Sequence, residues 1–462
     1  MGIKQQILKY SPVWLQNVMI SYYGQQLINQ RYGKTYYTQR EIFFNKDLTT
    51  FKTLEDEQNN LLRKFLKTSV STSPFYQQLY KDIDLDLIQS VEDLAKLPIV
   101  DKELLRQNIE SVYTLAEKDA IISFTGGTTG TSLQVLFTTD DFQTRMAYLD
   151  AFKMRLGIDP FTARKATFSG REFTRGWASK KSQVFWRDNR AYKQRLYSTF
   201  DMSDVNLPTY VENLNRYKPS VINGFVSAIY ELAQFIKRQN ITIEFHVKAV
   251  FTTSESLLPH HKTMIEEVFS TKVYDQYSSA EGAPFITECT EGNLHYGMDT
   301  GVIETLTTDA GDEMLITAFF SHGTPLIRYR IGDVIQFKDG ECACGSTFPL
   351  VAEIQGRKVD YLYSPEYGNV SLSHLADVIK GLPNCVKNVQ FHQDVKDEIT
   401  LWLNVDRELF DSTARQKIIQ AMKYRFGDKM IFNIELKNSI PKEKSGKYAL
   451  IKNKLKRTDS AA

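Results

Sequence analysis

Between Pro219 and Ser254 the chain runs strand, helix, strand, and that order leaves few ways to fold. Pro219 to Gly224 reads as a short strand, a helix carrying Leu232, Phe235 and Ile236 follows, and Val247 to Ser254 is again apolar and extended. Two strands joined through a helix lie parallel, which predicts an α/β layer. Ligands favour the carboxyl ends of such strands, here occupied by Asn223 to Ala228 and Thr252 to Glu255.

A second informative stretch leads from Ile121-Ile122-Ser123-Phe124 into Thr125-Gly126-Gly127-Thr128-Thr129-Gly130-Thr131-Ser132. The glycines allow positive φ and close backbone approach, so successive N–H groups can converge on phosphate oxygens while the hydroxyls add donors. A P-loop would place Gly-Lys where Thr131 and Ser132 stand. The stretch is therefore either a phosphate cradle whose positive charge comes from elsewhere or a tight turn between strands. Val135 to Thr138 reads as the return strand, with Asp140 capping the next helix. Upstream, Leu54 to Leu66 predicts a helix that ends at Ser71-Thr72-Ser73-Pro74.

Charge argues against one large class of partners: 57 basic residues nearly cancel 55 acidic ones, so nucleic acid is not the expected ligand. With 42% hydrophobic residues in 462, the chain can bury two large or three smaller units. Four scattered cysteines fit a reducing compartment. No export signal and no apolar run of ~18 residues is present, which predicts a cytoplasmic protein. Trp14, Leu15, Val18, Met19, Tyr22 and Tyr23 form one broad apolar helix face, expected to dock on the protein's own core, with membrane or partner contact as the alternative. Residues 164–190 gather Arg164, Arg171, Arg175, Trp177, Lys180, Lys181, Trp186 and Arg187. They read either as a solvated surface or as a face for an anionic substrate such as a nucleotide sugar or uronic acid.

Four further motifs follow the Thr/Gly stretch in order: Tyr277-Ser278-Ser279-Ala280-Glu281-Gly282, Tyr329-Arg330-Ile331-Gly332-Asp333, Gly356-Arg357-Lys358-Val359-Asp360, and Pro441-Lys442-Glu443-Lys444-Ser445-Gly446-Lys447. Together they resemble the adenylate-forming superfamily, and within it the phenylacetate-coenzyme A ligase family. Leu15-Gln16-Asn17, Tyr23-Gly24 and Arg31-Tyr32-Gly33 narrow the resemblance to the capsular-polysaccharide branch. It spans essentially the whole chain.

The resemblance implies an ATP- and Mg²⁺-dependent ligase that adenylates a carboxylic acid, with a sugar acid among the candidates that its branch suggests, and passes the acyl group to coenzyme A or an amine. Thr125, Gly126, Gly127, Thr128, Thr129 and Gly130 would then hold phosphates, with Ser278 and Ser279 as additional donors and Tyr277 stacked on adenine. Glu281 would ligate Mg²⁺, Asp333 and Arg357 would hold the ribose, and Phe225, Ser227, Ser254 and Glu255 would line the acyl pocket. Ala280 stands where the family usually has a hydroxyl; Ser279 is placed to compensate. The implied architecture is α/β: a large N-terminal domain over 1–355 with parallel or mixed sheets, a hinge over 356–360 turning at Asp360, and a small mobile C-terminal lid over 361–462. Lys447 would enter the site when the lid closes and stabilise charge developing at the α-phosphate.

Beyond Asp360 the segments shorten. Tyr361 to Tyr363, Val389 to His392, Ile399 to Val405, a helix near Thr413 to Tyr424, and Ile431 to Leu436 predict an α+β unit with an antiparallel sheet. A strand is also expected over Leu326 to Tyr329, just before Asp333. Cys289-x5-His295 and Cys342-x-Cys344-Gly345 offer three thiolates and an imidazole, the ligand field of structural Zn²⁺, with unliganded thiols as the alternative. Similar pairs in the family favour zinc. Cys385 lies outside that set.

Overall fold

The computed structural model describes residues 11–46, 50–124, 133–170, 184–199, 201–308, 311–355, 361–366, 368–371, 378, 382–383, 385–441 and 449–455. Parallel strands require long crossovers, and the middle of the chain supplies them repeatedly. Lys165–Ser169, Gln194–Ser198, Val221–Phe225, Ala249–Thr253 and Val273–Tyr274 form the parallel body of a six-stranded sheet, with Trp186–Asn189 antiparallel at one edge. Helices Leu207–Tyr217, Val226–Arg238 and Pro259–Phe269 bury Tyr210, Leu214, Ile229, Leu232, Ile265 and Phe269 in the same core as Phe168 and Val250. Helix Thr139–Arg155 covers Val221, Ala249 and Phe251 through Phe152. The predicted parallel layer is present.

A second sheet is antiparallel throughout, in the order Gly301–Thr308, Gly311–Ala318, Tyr329–Lys338, Leu350–Gln355, Leu294–Tyr296, Ile286–Glu288 and Gln276–Tyr277. Helix Phe51–Thr72, capped by the Thr50 hydroxyl, packs Leu54, Leu62, Phe65 and Leu66 into its core. Each such side chain contributes roughly 1.5–3 kcal/mol. The chain passes from one sheet to the other at Asp275, between Val273–Tyr274 and Gln276–Tyr277.

Four expectations need correction. The strand before Asp333 starts at Tyr329, not Leu326, because Arg328 takes a left-handed φ of 46°. It continues through Asp333, where the register against Gly311–Ala318 shifts and Gly332 has φ 84°. A bulge thus re-aims Asp333 away from the regular pleat. Second, Thr138 caps helix Thr139–Arg155 by accepting from Asp141 N (3.0 Å), whereas the Asp140 carboxylate accepts from Thr35.

Third, the N-terminal helix Val13–Arg31 docks by the face that carries Gln16, Ile20 and Gly24, not by its aromatic stripe. Asn17 Oδ1 accepts from Asp188 N (3.0 Å), and Ser21 Oγ donates to Asp188 O and accepts from Arg190 N. A sheet edge carries backbone donors and acceptors that need partners, and these side chains supply them. Gly24 fits because a Cβ there would overlap the Asn189 amide. The apolar stripe Trp14, Val18 and Tyr22 faces solvent, as does Tyr23. The same docking buries Arg187, which donates to Gln16 Oε1 and to the carbonyls of Val184 and Trp186. Arg187 is therefore a fastener of the edge strand and not part of a basic substrate face; Arg171, Arg175, Trp177, Lys180 and Lys181 lie outside the described residues.

Fourth, the C-terminal sheet is mixed. Val386–Val395 and Glu398–Val405 pair antiparallel, but Ile431–Leu436 and Ile451–Asn453 flank them in parallel. Helix Ser412–Phe426, capped by Asp411, is the crossover that turns Ile431–Leu436 parallel, and it packs Ile418, Met422 and Phe426 over Ile399, Leu401 and Leu403. Lys387 in this sheet pairs with Asp204, at 2.7 Å, in the loop before helix Leu207–Tyr217. Among the described residues no helix is long and apolar enough to cross a membrane.

Candidate functional site

The strands flanking the Thr/Gly stretch form the expected hairpin, Ile121–Phe124 antiparallel to Gln134–Phe137. It is anchored where Leu136 N donates to Thr324 Oγ1 (2.7 Å). Thr125, Gly126, Gly127, Thr128, Thr129 and Gly130 fall outside the described residues, as do Arg357, Asp360 and Lys447. Phe137, at the base of the hairpin, lies against Gly282, where a Cβ would come within 3.1 Å of its ring.

Tyr277 and Asp333, far apart in sequence, meet: the Tyr277 hydroxyl donates to Asp333 Oδ2 at 2.6 Å. Edge strand Gln276–Tyr277 and the bulge at Gly332 bring them together although three strands of the second sheet lie between them in its order. Ser278 is exposed. Ser279 closes the turn that follows, its hydroxyl accepting from Ala283 N (3.1 Å). Glu281 is only 2% exposed, which rules out a bland surface carboxylate.

The strand-end residues sit beside this motif, because Gln276 Nε2 donates to Thr252 O (3.3 Å). Ser254 is exposed and holds a left-handed φ of 68°, a conformation that costs a non-glycine residue of order 1–3 kcal/mol. Glu255 accepts from both Ser227 N (2.7 Å) and Ser227 Oγ (3.0 Å), placing a carboxylate at the positive end of helix Val226–Arg238. Phe225 belongs to the core of the first sheet.

Cys289, His295, Cys342 and Cys344 converge, with ligand atoms all within 4.8 Å of one another. Cys289 Sγ and Cys342 Sγ are 3.7 Å apart, too far for a disulfide, and Cys344 Sγ lies 3.4 Å from His295 Nε2. His295 Nδ1 is 3.0 Å from Phe348 O, which fixes the ring with Nε2 turned to the thiols. The donor set and its closure fit a tetrahedral structural Zn²⁺. The cluster ties the Ile286–Glu288/Leu294–Tyr296 hairpin to the loop before Leu350–Gln355. Cys385 is buried elsewhere.

Two residues at the site were not singled out from sequence. Asp275 precedes Tyr277 by two positions, and burial, reinforced by the Glu288 charge, pushes its carboxyl up from 3.8 to about 6. Arg145 is buried on helix Thr139–Arg155 and donates to the carbonyl of Gly282 at 2.7 Å. Their signals were an acid inside a strand connection and an arginine in register with Tyr148 and Phe152 on a buried helix face.

Comparison with known proteins gives these findings. Residues 362–454 match the family described as the CapK C-terminal domain. The chain is 31% identical over 453 residues to Protein CapK of Staphylococcus aureus, covering 97% of this chain and 99% of that one. It is 22% identical over 383 residues to a phenylacetate-coenzyme A ligase of Thermus thermophilus, covering 78% of this chain and 83% of that one. Its fold is similar to that of a 2-hydroxyisobutyryl-CoA ligase solved in the postadenylation state, with TM-score 0.71 at 17% identity over 88% of this chain and 91% of that one.

Proposed function

This chain belongs to the CapK family, a branch of the adenylate-forming ligases, and from that premise we propose that it joins a carboxylic acid to a thiol or amine through an acyl-adenylate. The observation that carries the reading is the 2.6 Å contact of Tyr277 with Asp333, in the same motif as the buried Glu281. An adenine-stacking ring and a diol-reading carboxylate on two strands of one sheet, with a metal-holding carboxylate in the turn after the first, match what nucleotide recognition requires.

In the proposed reaction the carboxylate oxygen attacks the α-phosphorus of ATP in line and pyrophosphate leaves. Thr125 to Gly130, with Thr128 central, cradle the leaving phosphates; Tyr277, Asp333 and Arg357 hold adenine and ribose. Glu281 would hold Mg²⁺, which neutralises phosphate charge when bound; one buried carboxylate plus phosphate oxygens suits that ion. Lys447, carried on the C-terminal unit over 361–462 and swung about Asp360, stabilises the charge developing at phosphorus. The acyl group then passes to coenzyme A or an amine. Ser254 and Glu255 border the acyl pocket, with Ser227 holding Glu255 in place and Phe225 backing the wall. Cys289, His295, Cys342 and Cys344 would hold a structural Zn²⁺, which would stiffen the second sheet. By family, the product serves surface polysaccharide synthesis, with a sugar acid as the favoured carboxylate.

The test is carboxylate-dependent ATP–pyrophosphate exchange over a panel of uronic, aryl and amino acids, followed by product analysis with and without coenzyme A. Exchange with at least one acid, abolished in Lys447→Ala at unchanged melting temperature, is expected. ATP binding without exchange for any acid would overturn the ligase reading in favour of a nucleotide-binding scaffold.

A further inference from the structure

The Thr/Gly stretch contains no cation, yet a fully built positive charge lies just behind the neighbouring motif. Arg145 is 5% exposed. Its Nη1 donates to the carbonyl oxygens of Gly282 (2.7 Å) and Ala283 (3.2 Å). Its guanidinium stacks over the Phe285 ring at 4.4 Å and reaches the Phe137 ring at 5.8 Å. Among the described residues it has no carboxylate within ion-pair distance; Asp141, one turn back, attracts it from further away while its own oxygens accept from His322.

Burying an arginine against carbonyls and rings carries a desolvation penalty that no ion pair among the described residues offsets. What the cost secures is local. Gly282 has φ 107° and directly follows Glu281, so the two carbonyls that Arg145 grips fix the peptide planes beyond the metal-holding carboxylate. Phe137, whose ring centre is 5.8 Å from the guanidinium, ends the strand that returns from the Thr/Gly stretch. Arg145 thus contacts both the turn after Glu281 and the base of the hairpin that carries the Thr/Gly stretch.

We propose that Arg145 is a positioning residue that aligns Glu281 for the Mg²⁺–triphosphate complex by clamping the Gly282 and Ala283 carbonyls against the base of the Thr/Gly hairpin. This rests on the ligase reading above. A lysine keeps the charge that Nη1 presents to both carbonyls but loses the planar guanidinium set over Phe285, so Arg145→Lys should be intermediate between wild type and Arg145→Met.

The experiment compares ATP binding by calorimetry in excess Mg²⁺ and in EDTA for the full-length wild type, Arg145→Lys and Arg145→Met, alongside the Mg²⁺ dependence of pyrophosphate exchange. Expected is a Mg²⁺-dependent gain in affinity that shrinks at least fivefold in Arg145→Met and partly recovers in Arg145→Lys, with metal-free ATP affinity unchanged. If Arg145→Met does not fold, Arg145→Lys alone carries the test. A purely structural arginine would lower the melting temperature and leave the Mg²⁺ gain intact, and that result overturns the proposal. Exchange by the wild type together with an unaltered Mg²⁺ gain in the variants would refute the clamp and leave the ligase standing. Wild type that binds ATP with no Mg²⁺ gain and exchanges with no acid would end both.

Discussion

Asp275 occupies the step between the two sheets, and its N–H donates to the carboxylate of the buried Glu288 at 2.9 Å. Burial, then the Glu288 charge, raise its carboxyl from 3.8 to about 6, with the Gln276 N–H and Lys262 pulling the other way. An unfolded chain releases this proton near 3.8 and the folded chain near 6, so the associated stability is complete below 3.8 and lost as pH rises through 6. At roughly 1.4 kcal/mol per pH unit of displacement, the ceiling on the cost at neutral pH is about 3 kcal/mol. Asp275 keeps partial solvent contact, which reduces the expected figure to ~1–2 kcal/mol. Asparagine retains the Oδ1 that accepts from Gln276 N and carries no charge. Asp275→Asn should therefore melt a few °C above wild type at pH 7.5, with the gain falling by about half near pH 5. Parallel thermal unfolding of both proteins across this range reads the difference directly, and shared events such as metal loss cancel. A variant no more stable at pH 7.5, or a gain that does not change with pH, would refute the desolvated-acid reasoning.

Two further outcomes follow from the site. Cys342→Ser should reduce bound zinc in freshly purified protein from about one equivalent to near zero and lower the melting temperature by several °C, since the metal joins two loops far apart in sequence; metal analysis and melting together check this, and a zinc-free wild type would sink it. Asp333→Asn should raise KM for ATP on the order of 10- to 100-fold with a smaller change in kcat, the span expected from weakening charge-assisted hydrogen bonds of ~1.5–3 kcal/mol; steady-state exchange kinetics give the split, and an unchanged KM would dissociate Asp333 from the ribose.

Legibility tracked the kind of force involved. Strand–helix–strand order between Val221 and Thr253 was readable because apolar periodicity and crossover length both report on it. The meeting of Tyr277 with Asp333, and of Cys289 and His295 with Cys342 and Cys344, was readable because chemistry-bearing residues recur in ordered motifs. Periodicity misled at helix Val13–Arg31: it identified the apolar side, whereas the edge strand Trp186–Asn189 demanded hydrogen-bonding side chains. It could not reveal that Ile431–Leu436 is parallel, since an outer strand of either sense carries the same pattern. Arg145 was hidden for a related reason. A cation on an apolar helix face looks like a surface residue until the carbonyls of Gly282 and Ala283 are found against it.

The segment Val273–Ala283 explains why these scattered features belong together. It supplies the last strand of the parallel sheet and the first of the antiparallel one, with little regular structure of its own between them. Short strands of two residues cannot hold a carboxylate in register by their ladder bonds alone. The fixing comes from outside: Glu288 receives the Asp275 N–H, Asp333 receives the Tyr277 hydroxyl, and Arg145 grips the carbonyls after Glu281. Glu288 is itself followed by Cys289, so the cysteine–histidine cluster reaches the same segment through one peptide bond. Glu288 and Arg145 are charged groups buried at a cost, which an apolar core of the same shape would avoid. A fold selected for stability alone would discard them; one that must present Tyr277 and Glu281 to a nucleotide in a single geometry has reason to keep all of them.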